Sequence, residues 1–213
     1  MNSDDLIASL SADLRPVPRH ALGQKIALGL LGGALLTLLA VTQWLGLRPD
    51  LMIAMHGATF WIKWAYTISL ALCATLAAAR LARPDGRVGT ALALMALPVA
   101  GLALIALVEL AATPSSQWLA MWLGQSWLVC SRNVFVLALP ILAGMTLAFR
   151  RLAPTRLALA GASAGMAAGA WGATLYCLHC PETSALFVLT WYSLGMIAAG
   201  LVGRLLGPVL LRW

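Results

Sequence analysis

The chain has 213 residues, 62% of them hydrophobic and 10% charged, with a mean hydropathy of +0.89. A soluble domain is about half apolar and a quarter charged, so this composition excludes a water-soluble globule. The net charge of +7 and the pI near 9.9 do not point to nucleic acid, because the basic residues stand in small groups between long apolar runs.

The first expected element is a short amphipathic helix within residues 1–18. Leu6, Ile7, Leu10 and Leu14 fall on one helical stripe. Ser3 is placed to cap the start, Asp4 and Asp5 suit the positive end of the helix dipole, and Pro16 stops the run. So short a helix is marginal alone in water and needs a surface to lie on. Asp4, Asp5 and Asp13 would be repelled by anionic lipid, which favours a protein groove with a basic rim.

Residues 19–213 read as a polytopic bundle of about six membrane helices, an all-α fold. The expected spans are Lys25–Leu47, Phe60–Leu81, Val88–Leu110, Asn133–Phe149, Arg156–Tyr176 and Ser184–Leu206. Turn signals separate them, such as Arg48-Pro49-Asp50, Arg83-Pro84-Asp85-Gly86 and Pro181-Glu182-Thr183. The fourth is short and follows a half-apolar stretch with Trp118, Trp122 and Trp127. The first run is span-length and has no clear cleavage signature, so no signal peptide is expected.

Eleven of the 14 Lys and Arg residues fall on one side of this map, leaving Arg48, Lys63 and Arg132 on the other. That asymmetry places both termini in the cytoplasm. Eight of the tryptophans, with Tyr66, Tyr176 and Tyr192, gather toward the opposite, outer side, where amphipathic rings form a belt at the lipid headgroups. Gly161, Gly165 and Gly169 recur every four residues, a seam for close helix packing within the monomer or a homodimer. Lys63 and Glu109 lie near span ends, where snorkelling accounts for them, and His56 falls in an outer loop. This scarcity of ionisable residues inside spans disfavours an ion-coupled transporter.

Of four cysteines, Cys73 reads as a small buried hydrophobe within the second span. Cys130 falls in the third outer connection, and Cys177 and Cys180 in Tyr-Cys-Leu-His-Cys-Pro-Glu at the outer end of the fifth span, so all three reach the same surface. In an oxidising periplasm disulfides persist there. Two chemistries are open to them. A thiol pair such as Cys130 and Cys180 can close a disulfide and change how helices pack. Alternatively, Cys130, Cys177, His179 and Cys180 can supply ligands to a transient soft metal ion. A permanent structural staple or a free thiol is the plainer reading.

The tail pattern from Asp5-Leu6-Ile7 to Val17, with His179-Cys180-Pro181-Glu182 and the upstream Cys130, resembles the NrsF-like family of bacterial membrane anti-sigma factors. The resemblance covers nearly the whole chain. It implies a regulator that holds an extracytoplasmic-function sigma factor at the inner membrane and releases it under oxidative or heavy-metal stress. It further implies that Cys130 and Cys180 sense the signal and that the tail, through Asp5, Leu6, Ile7, Leu10, Asp13 and Leu14, contacts the sigma factor. It assigns no counterpart to Cys177. The expectation is a regulator and not an enzyme, with the sigma factor and membrane lipid as partners and no direct nucleic acid. The rivals are a membrane thiol oxidoreductase passing electrons to quinone, whose relay usually takes two thiol pairs, and a small transporter.

Overall fold

A computed structural model describes residues 2–12, 20–83, 86, 89–152 and 154–212. Among these residues the chain is all helix, with no strand. The helices are α1 (Ser3–Ala12), α2 (Ala21–Ala40), α3 (Leu51–Ala54), α4 (Ala58–Leu81), α5 (Gly89–Ala112), α6 (Trp118–Leu123), α7 (Trp127–Phe149), α8 (Leu157–Tyr176), α9 (Ala185–Phe187) and α10 (Ser193–Leu210). α2 runs on into a π-helical turn, Val41–Leu45, and a second such turn, Val188–Tyr192, joins α9 to α10. Gly46 (φ 78°) ends the first π turn and Gly124 (φ 55°) ends α6, a backbone region that glycine enters at no steric cost.

Five helical stretches are long and apolar enough to cross a membrane: Ala21–Leu45, Ala58–Leu81, Gly89–Ala112, Ser115–Phe149 and Ala185–Leu210. Their outward faces carry large apolar side chains such as Leu28, Leu97, Leu128 and Leu205, all more than half exposed. That is the mark of a membrane protein. α8, which covers the expected Arg156–Tyr176 span, is not among the five. It is 20 residues of mostly alanine and glycine, and most of it is buried against other helices. Small residues that pack helix to helix contribute less hydropathy than the leucines that face lipid. The expected start of the fourth span is also corrected. α7 begins at Trp127, six residues before Asn133.

α8 is the centre of the bundle, packed along α10 and against α4 and α7, while α2 packs on α7 and α5 on α4. Gly161, Gly165 and Gly169 face α10, and a Cβ added at each would run into backbone. At Gly161 it would meet the Gly203 carbonyl, at Gly165 the Ala199 carbonyl, and at Gly169 the Cα of Met196 at 2.8 Å. Residue numbers that rise on one helix and fall on the other make the pair antiparallel. Gly29 and Gly33 approach Gly144 and Ile141 of α7 in the same way. Thr37 Oγ1 adds a buried bond to the Leu137 carbonyl at 2.9 Å, and Trp171 Nε1 donates to Thr75 Oγ1 at 3.1 Å, tying α8 to α4.

The apolar interior divides into two clusters. One surrounds Cys130, Tyr176, Cys180, Phe187 and Tyr192 at one end of the bundle. The other surrounds Ile141, Met145, Phe149, Ala164 and Ala199 toward the opposite end. The tyrosines therefore correct the expected belt: Tyr66, Tyr176 and Tyr192 are buried, while Trp44, Trp61, Trp118 and Trp122 are exposed.

Gly165→Leu is expected to destabilise the purified protein by at least about 1–3 kcal/mol, the usual cost of overpacking, seen as a lower melting temperature in detergent. Gly32→Leu is the matched control, because a Cβ at Gly32 meets nothing within 4 Å, and it should leave the melting temperature near that of the parent protein.

Candidate functional site

The segment 177–184 leaves α8 without continuing it and enters α9 only at Ala185. Cys177 sits at the end of α8, its thiol donating to the Ala173 carbonyl at 3.2 Å. Cys180 follows within the non-helical stretch. Cys130 is not in a connection, as the sequence suggested, but in the first turn of α7. The helix starts early because the Glu182 carboxylate caps it: Oε1 accepts from Gln125 N (2.7 Å), Ser126 N (3.1 Å) and Ser126 Oγ (3.1 Å). The capping residue thus lies two positions from Cys180 in the chain, so the segment that carries one cysteine also starts the helix that carries the other.

All three cysteines share one apolar cluster with Tyr176, Phe187, Val188 and Tyr192, and each is 0% exposed. They are free thiols. The expectation that they reach a common surface is corrected in this respect: they gather at one end of the bundle, inside it. Tyr192 stacks near Tyr176 (5.6 Å between ring centroids), and Tyr176 near His179 (5.6 Å). Cys73 lies apart on α4 and is partly exposed.

Charged side chains fasten the segment. Lys63 of α4 does not snorkel. It is 2% exposed, and its Nζ donates to the carbonyl oxygens of Cys180 and Glu182, both at 2.9 Å. Glu109 of α5 also turns inward, its carboxylate accepting from Ser184 Oγ (3.0 Å), Ala185 N (2.8 Å) and Leu186 N (3.4 Å) at the start of α9. Arg48 pairs with Asp50 at 2.7 Å and places Nη1 3.4 Å from the Cys180 carbonyl, while its backbone N–H donates to the Leu178 carbonyl at 3.1 Å. His179 Nδ1 lies 2.8 Å from the Gly46 carbonyl. A carbonyl can only accept, so Nδ1 carries the proton.

These contacts set the local electrostatics. The neighbouring Cys130 thiol as hydrogen-bond donor, and after it the charge of Lys63, hold the Cys180 thiol well below the ordinary thiol range, against the opposing effect of burial. Burial instead pushes Cys177 up to about 11. The bond to Asp50 raises Arg48, and Asp50 is lowered by the same bond. Among the described residues the nearby buried Asn133 Oδ1 has no hydrogen-bond partner, while the Tyr192 hydroxyl faces the thiols of Cys177 and Cys180. Asn133 Nδ2 donates to the Tyr176 hydroxyl at 3.5 Å. An acidic thiol beside a second thiol is the arrangement that thiol–disulfide chemistry uses.

The candidate metal ligands are not drawn together in this structure. Among the described residues no three of His, Cys, Asp and Glu come together as ligands for a metal ion. The set Cys130, Cys177, His179 and Cys180 is not gathered on one point, because His179 turns to Gly46 and the Cys177 thiol to Ala173.

α1 stands apart from this site. It starts at Ser3, with the Asn2 carbonyl accepting from Leu6 N at 3.2 Å, and none of its residues is buried. Leu6, Ile7 and Leu10 are 42%, 63% and 66% exposed. Asp13 and Leu14 lie outside the described residues, as does Pro16. Sequence reading missed Lys63, Glu109 and Arg48 as parts of the cysteine site. The available signal was a charge inside or at the edge of an apolar run, which in a membrane is costly enough to need a partner.

The chain matches the family model described as "Negative regulator of sigma F" over residues 10–213. It is 41% identical over 214 residues to a protein of Caulobacter vibrioides named anti-sigma-F factor NrsF, covering 100% of both chains. It is 37% identical over 216 residues to one of Azospira oryzae named probable anti-sigma-F factor NrsF, again over 100% of both. No solved structure matches. A match over nearly the whole length to a regulatory family, and not to a catalytic one, establishes that the chain belongs to the NrsF family of negative regulators of sigma F.

Proposed function

We propose that this protein is a membrane anti-sigma factor. Residues 1–18 bind an extracytoplasmic-function sigma factor in the cytoplasm, and residues 19–213 form a six-span sensor in the inner membrane with both termini cytoplasmic. The observation that carries this reading is the pairing of a full-length relationship to proteins named anti-sigma-F factors with an α1 whose Leu6, Ile7 and Leu10 are unburied. An apolar stripe on a short helix is stable only against a partner, and the acidic Asp4 and Asp5 at its start suit a basic groove better than an anionic membrane.

In this reading Cys130 and Cys180 are the input on the periplasmic side, and either their oxidation to a disulfide by an oxidant, which takes two electrons and two protons, or capture of their thiolates by a soft metal ion releases the sigma factor. Support comes from the gathering of both thiols in one cluster and from the lowering of the Cys180 thiol beside Cys130 and Lys63. The energies are commensurate. Weakening a complex 100-fold takes about 2.7 kcal/mol, and closing a disulfide is typically worth about 2–4 kcal/mol.

Two outcomes test the two ends. Co-purification from membranes should retain a sigma factor with the parent protein and lose it with Leu6→Ala/Leu10→Ala. Two buried leucines are worth roughly 3–6 kcal/mol, so the affinity should fall at least about 100-fold; equal retention by the double variant removes the tail from the output. Cys130→Ser and Cys180→Ser should keep the sigma factor bound when cells are challenged with an oxidant, whereas Cys73→Ser should release it like the parent. Release by all three variants would remove the cysteines from the input.

A further inference from the structure

Lys63 is buried in the cysteine cluster, more deeply than Arg48, and the function just proposed gives it no part. Its ammonium lies among Cys180, Glu182 and Tyr192, with Nζ 5.7 Å from the centroid of the Tyr192 ring. A buried ammonium demands compensation. Among the described residues the only ion pair is Arg48–Asp50, so no carboxylate there answers Lys63 directly. The two nearby candidates are engaged elsewhere: Glu182 with the amides that start α7, and Glu109 with those that start α9. Lys63 and Glu109 both line a cavity of about 10 Å³, room for about one water. What remains for the ammonium is two backbone carbonyl oxygens and an aromatic face.

We propose that Lys63 is a positioning residue. By donating from α4 to the carbonyl oxygens of Cys180 and Glu182, it latches the 177–184 segment to that helix and holds Cys180 toward Cys130. The proposal rests on the reading of those two cysteines as the input, and it names the group that couples them to a membrane span. The coupling is direct because both bonds land on backbone. Any shift of the segment moves the acceptors of a side chain rooted near the start of α4. The Glu182 carboxylate then carries the same shift to the first turn of α7, so one short segment links two spans. Thr67 Oγ1, one turn further along α4, donates to the Lys63 carbonyl at 3.3 Å. α4 in turn contacts the central α8 along its length.

Hydrogen exchange of the full-length protein in phosphatidylethanolamine/phosphatidylglycerol nanodiscs tests the latch without relying on sulfur chemistry. The amides of His179, Cys180, Ala185 and Leu186 are bonded within or next to the segment. The Lys63→Met protein keeps the apolar stem and loses the charged donor. Its peptides covering 177–187 should exchange at least tenfold faster than those of the parent, while peptides from the middle of α8 stay within twofold. Lys63→Arg, which restores a charged donor, should bring the segment back to within about threefold of the parent. Unchanged exchange in Lys63→Met overturns the proposal, because a side chain that only packs is replaced by Met without loss. Equal acceleration in α8 also overturns it, since that marks general loosening. If Lys63→Met does not accumulate in membranes, Lys63→Gln, too short to span both carbonyls, takes its place with the same outcomes. The latch is read without any sigma factor, so its failure is distinct from failure of the proposed function, which the cysteine variants test separately.

Discussion

Between α8 and α9 the backbone is not helical: the amides of residues 177–180 still bond back into the end of α8, but the carbonyls of Leu178, Cys180 and Glu182 and the amides of Ala185 and Leu186 are met by groups from elsewhere in the chain. At the end of an apolar bundle, each unsatisfied group is costly. Side chains from other parts of the chain meet that demand: Lys63 from α4, Glu109 from α5, and Arg48 from the connection after α2. Glu182 works in the opposite direction, leaving the segment to satisfy the amides that begin α7. The position of Cys180, the early start of the Cys130 helix and the burial of both thiols all follow from this exchange of polar groups.

The rest of the bundle is held by close approach of small residues. α8 and α10 meet backbone to backbone through Gly161, Gly165, Gly203 and Gly207, and α2 meets α7 through Gly29, Gly33 and Gly144. In a membrane there is little hydrophobic drive between helices, so this packing and the few interhelical bonds must carry the association. Contacts of this kind deform little. Movement imposed at the cysteine end is therefore passed along helices as rigid bodies more readily than it is absorbed between them.

This division suits a regulator better than an enzyme. The thiols lie within the end of the bundle beside the Tyr192 hydroxyl, and α1 stays unburied on its own. Under the proposed function the two ends need share only a small difference in free energy, which closely packed helices can transmit.

The sequence alone determined that the chain is apolar, helical and membranous, because hydropathy and helical period are local properties that tertiary structure rarely reverses. It also marked the residues of the tail stripe, the glycine repeat and the cysteines, which are recognisable by type and spacing. It could not say that Lys63 and Glu109 turn inward. A charge at a span end satisfies the same pattern whether it reaches water or a buried carbonyl, and only the neighbour decides. Nor could it show that α8 is sheathed by other helices, that the tyrosines leave the belt for the core, or that Glu182 moves Cys130 from a connection into a helix. Each of these depends on partners far away in the chain, such as the 56 or 57 residues between Glu182 and the amides it caps. Tertiary structure decided them because burial and hydrogen-bond satisfaction belong to pairs of segments, not to either segment alone.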